Sequence, residues 1–165
     1  MPGEKRGIVI FDTRFGNTEK IANALERGLA SVGIETRCIN SKQVNAELLK
    51  EYDIVAVGAP TERFSASKPI KEFLENLRAV DLRGKWGFAF DTKLGSVLSG
   101  SAAGRIEKDL KKIGLELIAP RESAIVFGTG SSMSNIRLKD GEEKRFEEIG
   151  VKIGAIVKGR MVITP

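Results

Sequence analysis

A β-branched run that passes at once into an amphipathic helix constrains this chain more than any other feature. Gly7-Ile8-Val9-Ile10 reads as a short buried strand, and Phe11 to Leu25 continue as F-D-T-R-F-G-N-T-E-K-I-A-N-A-L. Ile21, Ala22, Leu25 and Leu29 recur at helical spacing, which predicts a helix over 17–31 ended by Gly33. A strand feeding a helix through so short a turn aims several backbone N–H groups at one point. The positive end of the helix dipole lies behind them, an arrangement that suits phosphate. Gly16 permits positive φ and close backbone approach. Thr13 and Thr18 offer hydroxyl donors and Asn17 an amide donor. The same residue types cap ordinary helices, so the turn alone leaves both readings open. The G-x-x-x-x-G-K-[ST] spacing of a P-loop is missing, which argues against a nucleoside triphosphatase.

The alternation continues to the end of the chain. Strands are expected near 34–39, 54–58 and 85–90, with a broken fifth strand starting near Leu115 and resuming over 124–127. Helices are expected over 41–51, over 68–77, around Ile106, Leu110 and Ile113, and over 142–157. Ser41 or Asn45 would cap the first of these helices, and Ser99 or Ser101 the third. No linker or repeat interrupts the order, so residues 1–165 read as one domain. Strands and helices in strict alternation imply a parallel sheet covered on both faces. Ligands of such sheets bind outside the carboxyl ends of the strands. The loops leaving the first, third and fourth strands are therefore the candidate site walls.

Composition narrows the chemistry. The chain has no histidine, which removes histidine general acid–base catalysis, Ser-His-Asp triads and histidine metal sites. Cys38 is its single cysteine, so intrachain disulfides and cysteine metal clusters are excluded; it reads as a small core residue. Chemistry here is expected from a bound cofactor. The net charge is +5, from 27 basic and 22 acidic residues that are interleaved along the chain. Scattered charge of this kind argues against nucleic acid as a partner. No apolar run is long enough to span a membrane and the N-terminus is polar, so a cytoplasmic protein is expected.

The turn also carries a family resemblance. Ile10-Phe11-x-Thr13-x-x-Gly16-x-Thr18-x-x-x-Ala22-x-x-Leu25 matches the flavodoxin signature at every fixed position. The order of elements extends the likeness over nearly the whole chain. The resemblance implies an α/β three-layer sandwich around a five-stranded parallel sheet of order 2-1-3-4-5, of the short-chain type. It implies FMN as cofactor. Thr13, Arg14, Phe15, Gly16, Asn17 and Thr18 would form its phosphate loop. Pro60, Thr61, Glu62, Arg63 and Phe64 would form a second wall, with Pro60 stiffening a turn. Asp91, Thr92 and Lys93 would line the other side of the ring, with Leu94 as a shield.

Two positions depart from the family pattern. Glu62 stands where many members have an aromatic stacker, and Arg63 where some have a glycine. Phe64 would supply the missing ring, or else serves as a core or lid residue. The resemblance implies an FMN-binding electron carrier that shuttles electrons between redox proteins, acidic ones among them, as a monomer or weak homodimer. The alternative is an FMN-dependent NAD(P)H:quinone oxidoreductase of the same fold. Pro60-Thr61-x-Arg63-Phe64 is reminiscent of a Pro-Thr-Arg-Phe segment in those enzymes, offset by one residue. The chain lacks the histidine and the long insertions expected of them.

Overall fold

The computed structural model describes residues 4–62, 65–95, 100–128 and 136–159. β1 (Arg6–Phe11) leads into α1 (Asn17–Ser31), followed by β2 (Glu35–Asn40). β3 (Ile54–Glu62) and the two-residue β4 (Ser65–Ala66) precede α2 (Lys68–Leu77). β5 (Trp86–Leu94) precedes α3 (Ala102–Ile113). β6 (Glu116–Leu117), β7 (Glu122–Phe127), β8 (Arg137–Leu138) and α4 (Glu142–Val157) complete the order.

The sheet runs β2-β1-β3-β5-β7-β8, with β4 beside β3 and β6 beside β5. The 2-1-3-4-5 order is therefore present, with β5 as the fourth strand and β6 and β7 as the two halves of the fifth. β6 pairs parallel with Trp86 and Gly87, and β7 pairs parallel with Phe90 to Leu94. Two short antiparallel strands go beyond the expected five. β4 folds back on Thr61 and Glu62, and β8 extends the edge beyond β7.

Strand alternation builds both faces of the core. Ile8, Ile10, Val55 and Val57 point into one cluster with Ile70, Leu74 and Leu77 of α2 and Ile106 and Leu110 of α3. Val9, Phe11, Ile54 and Ala56 point into the other, with Ile21, Leu25 and Leu29 of α1 and Phe146 and Ile153 of α4. Burial on both faces is why these strands read as unbroken apolar runs rather than alternating ones. In the second cluster Phe88 stacks on Phe90 at a centroid distance of 6.2 Å, and Phe90 meets Phe146 edge-on at 5.9 Å.

α1 and α4 touch backbone to backbone. A Cβ on Gly28 would lie 2.0 Å from the carbonyl oxygen of Glu147, and one on Gly150 2.4 Å from that of Leu25. This contact brings the start of α4 beside the helix that follows the first turn. A three-sided ionic knot fixes that end of α4. Arg145 bonds Glu142 at 2.9 Å and Glu122 at 2.8 Å, while Glu142 accepts the Ile125 N–H at 2.7 Å.

Three expectations change. Residues 41–51 form two 3-10 turns, Ser41–Gln43 and Ala46–Glu51, rather than one helix. Asn40 and Asn45 each accept the N–H two residues on at 2.9 Å, which starts two turns where a helix needs one. Pro60 does not sit in a turn. It continues β3 and pairs with Thr92, because β3 and β5 stay in parallel register two residues past Gly58. Ser101 accepts the Gly104 N–H and caps α3; Ser99 lies outside the described residues. Among the described residues no helix is long and apolar enough to cross a membrane.

Candidate functional site

The first turn closes on itself before α1 begins. Thr13 Oγ1 accepts the Gly16 N–H at 2.9 Å, and Gly16 adopts φ 89°. Nothing lies within 4 Å of a Cβ built there, so backbone conformation and not crowding calls for glycine. Lys20 is the first N–H of the helix to reach a carbonyl of the turn, Gly16 O at 3.1 Å. The N–H groups of Asn17, Thr18 and Glu19 precede it and have no carbonyl within the helix to accept them. Thr13 keeps its O–H proton as a donor, since it only accepts from Gly16.

These groups face an open cleft at the carboxyl ends of the strands. Thr13, Arg14, Phe15, Asn17 and Thr18 form one wall. Pro60, Thr61 and Glu62 from the end of β3 form a second, and Thr92, Lys93 and Leu94 from the end of β5 a third. Val126 of β7 and Ile136, beside β8, close the far side. The three expected walls thus converge. Val126 was not legible in the sequence, because nothing in a strand pattern says which residue of the fifth strand reaches its mouth. Arg63 and Phe64 lie outside the described residues.

Two hydroxyls tie the first wall to the third. Thr18 Oγ1 and Thr92 Oγ1 are 2.8 Å apart and both side chains are buried. One proton serves that bond, so the pair retains a second for a ligand. Asn17 gives one amide N–H to the carbonyl of Ile136 at 3.0 Å and keeps the other.

Thr61 and Asp91 behave differently. The Thr61 hydroxyl donates to Asp91 Oδ2 at 3.1 Å and accepts the Ala102 N–H at 3.0 Å. Its one proton is therefore committed behind the cleft. Asp91 is fully buried and does not line the cleft. Its Oδ2 also accepts from Ser101 Oγ and from the Ala103 N–H, each at 2.9 Å. The carboxylate thus sits on the N-terminus of α3, where backbone N–H groups and the helix dipole favour it. It pins the end of β3 to the start of α3. Asp91 Oδ1 is buried without a partner among the described residues. Gly16 likewise shapes the turn without lining the cleft.

Charge at the cleft is mixed. Arg14 lies over the Phe15 ring at 5.3 Å and 3.9 Å from Glu62, a loose ion pair in solvent. Lys93 is half-buried on the opposite wall. The single thiol lies apart, on β2. Burial, reinforced by the charges of Glu26 and Glu19, pushes Cys38 up to about 12, so it is held as the thiol.

The family model described as Flavodoxin matches residues 9–161. A flavodoxin of Clostridium saccharobutylicum is 30% identical over 94 residues, 56% of this chain and 58% of that one. A nitric oxide reductase of Moorella thermoacetica is 31% identical over 122 residues, 71% of this chain and 30% of that one. The chain therefore spans between 30% and 58% of the length of these two relatives. A solved flavodoxin from the domain Archaea superposes with a TM-score of 0.77 at 25% identity, covering 93% of this chain and 99% of that one.

Proposed function

This chain belongs to the flavodoxin family, whose general role is FMN-bound electron transfer, and from that premise we propose that it holds FMN in the cleft and shuttles electrons between redox proteins. One observation carries the reading. The free N–H groups of the first turn of α1, the Thr13 hydroxyl and the Thr18–Thr92 pair all border the same cleft. That is a donor set for a phosphate, at a helix N-terminus. The reading treats residues 1–165 as one flavin-binding unit.

In this proposal Thr13, Asn17 and Thr18 donate to the phosphate oxygens, and Gly16 gives the turn its shape. Arg14 and Phe15 cover the loop. Pro60, Thr61 and Glu62 form one side of the ring pocket, and Thr92 and Lys93 the other, joined by Arg63 and Phe64. Asp91 acts from behind by fixing Thr61. Bound FMN would supply one- and two-electron chemistry, and the protein supplies position, solvent exclusion and charge.

The test is the purified protein itself. A flavin absorbance with FMN as the released species, identified by mass, is the expected result. Stoichiometric FAD without FMN, or failure of the protein to bind added FMN, overturns the proposal. Steady oxidation of NADH or NADPH with a quinone would move the reading to the quinone oxidoreductase.

A further inference from the structure

Exposed apolar and basic side chains gather at the carboxyl edge of the sheet, around the mouth of the cleft. Among the described residues the large apolar side chains left in solvent are Phe15, Leu94, Phe127 and Val151, exposed by 41%, 43%, 55% and 38%. Val151 lies on α4. The other three follow or end β1, β5 and β7, which are parallel and bring their carboxyl ends to one edge. Single exposed apolar residues are ordinary, whereas a gathering at one edge marks a contact surface.

The charges there have a sign. Arg14 and Lys93 line the cleft, and Arg137 stands opposite Phe127 across the β7–β8 ladder. Lys93 and Arg137 make no ion pair with any described residue. Among the described residues Glu62 is the one carboxylate lining the cleft, and Glu19 and Lys20 on α1 offset each other. Asp12 and Asp91 belong to the same edge but are buried, so they present little charge outward. Among the described residues two exposed cations, Arg14 and Arg137, and the half-buried Lys93 thus face one half-buried carboxylate, on a chain whose net charge is +5. A field of that sign speeds encounter with an acidic surface and opposes a basic one.

We propose that this edge is the docking face for an acidic redox protein. The partner seats an apolar patch on Phe15, Leu94 and Phe127 and sets carboxylates against Arg14, Lys93 and Arg137. The partner's redox role rests on the flavin reading; the docking does not. Each electron leaving the flavin across this face reduces one one-electron centre of the partner, with no further reactant.

The test titrates ¹⁵N-labelled protein with two haem proteins of opposite charge, the acidic soluble domain of cytochrome b5 and the basic cytochrome c, following amide shifts. Cytochrome b5 is expected to perturb residues 14–15, 93–94, 127 and 137 at low salt. Its binding should weaken roughly tenfold between about 10 and 200 mM salt. Arg137→Glu should weaken it about fivefold and leave FMN affinity unchanged, since Arg137 does not line the cleft. Equal binding of cytochrome c, perturbations confined to another face, or no effect of Arg137→Glu overturns the proposal. Intact docking in a protein that binds no FMN would overturn the flavin reading and support this face.

Discussion

Thr18 is the residue on which fold and proposed ligand compete most directly. Its buried hydroxyl meets Thr92 Oγ1 at 2.8 Å. A hydroxyl bond to a charged phosphate is worth about 1.5–3 kcal/mol, and a neutral one about 1 kcal/mol. Thr18→Val is therefore expected to raise the FMN dissociation constant at least about tenfold. It should lower apoprotein stability by about 1–3 kcal/mol, the cost of leaving the buried Thr92 hydroxyl without its partner. Flavin titration and urea unfolding of the same variant separate the two effects; an unchanged flavin affinity would place the phosphate elsewhere. The first turn was readable because its residue types and spacing are local. The Thr61–Asp91 bond was not, although both residues were singled out. They lie 30 positions apart, and only the register of β3 on β5 and the placement of α3 set the Thr61 hydroxyl on Asp91 and leave Asp91 outside the cleft lining. Cys38 offers a second check at this scale. With its thiol pushed up to about 12, native protein at neutral pH should react with a thiol reagent far more slowly than unfolded protein.

Helices read well from sequence where one face is buried along its whole length. α1, α2 and α4 occupy the spans that the apolar spacing predicts. Strand ends read poorly, because β3 and β5 run past their apolar runs wherever a neighbour remains to pair with, each other as far as Pro60 and Thr92, then β4 for β3 and β7 for β5. β8 left no signal at all, since two residues carry no period. The α1–α4 contact shows how a glycine acts through packing. Gly28→Ala places a methyl against the backbone of Glu147, where no side chain can move aside. The helices must separate, at a cost expected at about 1–3 kcal/mol in urea unfolding, despite the higher helix propensity of alanine. Glu142 is the pH-sensitive tie of α4. Burial works to raise its pKa, but the bonds from Arg145 and the Ile125 N–H outweigh burial and hold it below the ordinary carboxylate value of 4.5. A lowered pKa stabilises the fold above the unfolded value, and that contribution fades as pH falls through the folded one. Glu142→Gln should therefore be less stable than the parent at pH 7, and the difference should fade as pH falls below 4.5. A stability difference that stays constant from pH 7 to pH 3 would place the tie elsewhere.

At the scale of the whole molecule, net charge and cleft charge act in the same direction on a bound flavin. Reduction adds negative charge to the ring, and a positive surround favours it. The overall +5 is spread over the surface and acts at range, so salt screens most of it. Lys93 is closer, half-buried on the cleft wall and without an ion-pair partner among the described residues. A cation about 7 Å from the reduced ring is worth about 2 kcal/mol at an effective dielectric of 20, and about half that once solvent screening is allowed for. One kcal/mol is roughly 40 mV for a one-electron step. Lys93→Gln is accordingly expected to make the second reduction step more negative by a few tens of millivolts. Arg137→Gln, outside the cleft lining, should move it less and lose most of its effect in high salt. Potentiometry of the two variants beside the parent, at low and high ionic strength, separates near charge from far. Equal shifts in both variants, abolished together by salt, would assign the potential to the overall field and leave Lys93 no special part. A shift in Lys93→Gln that persists in salt would tie it to the wall of the cleft, where β5 continues beyond its apolar run.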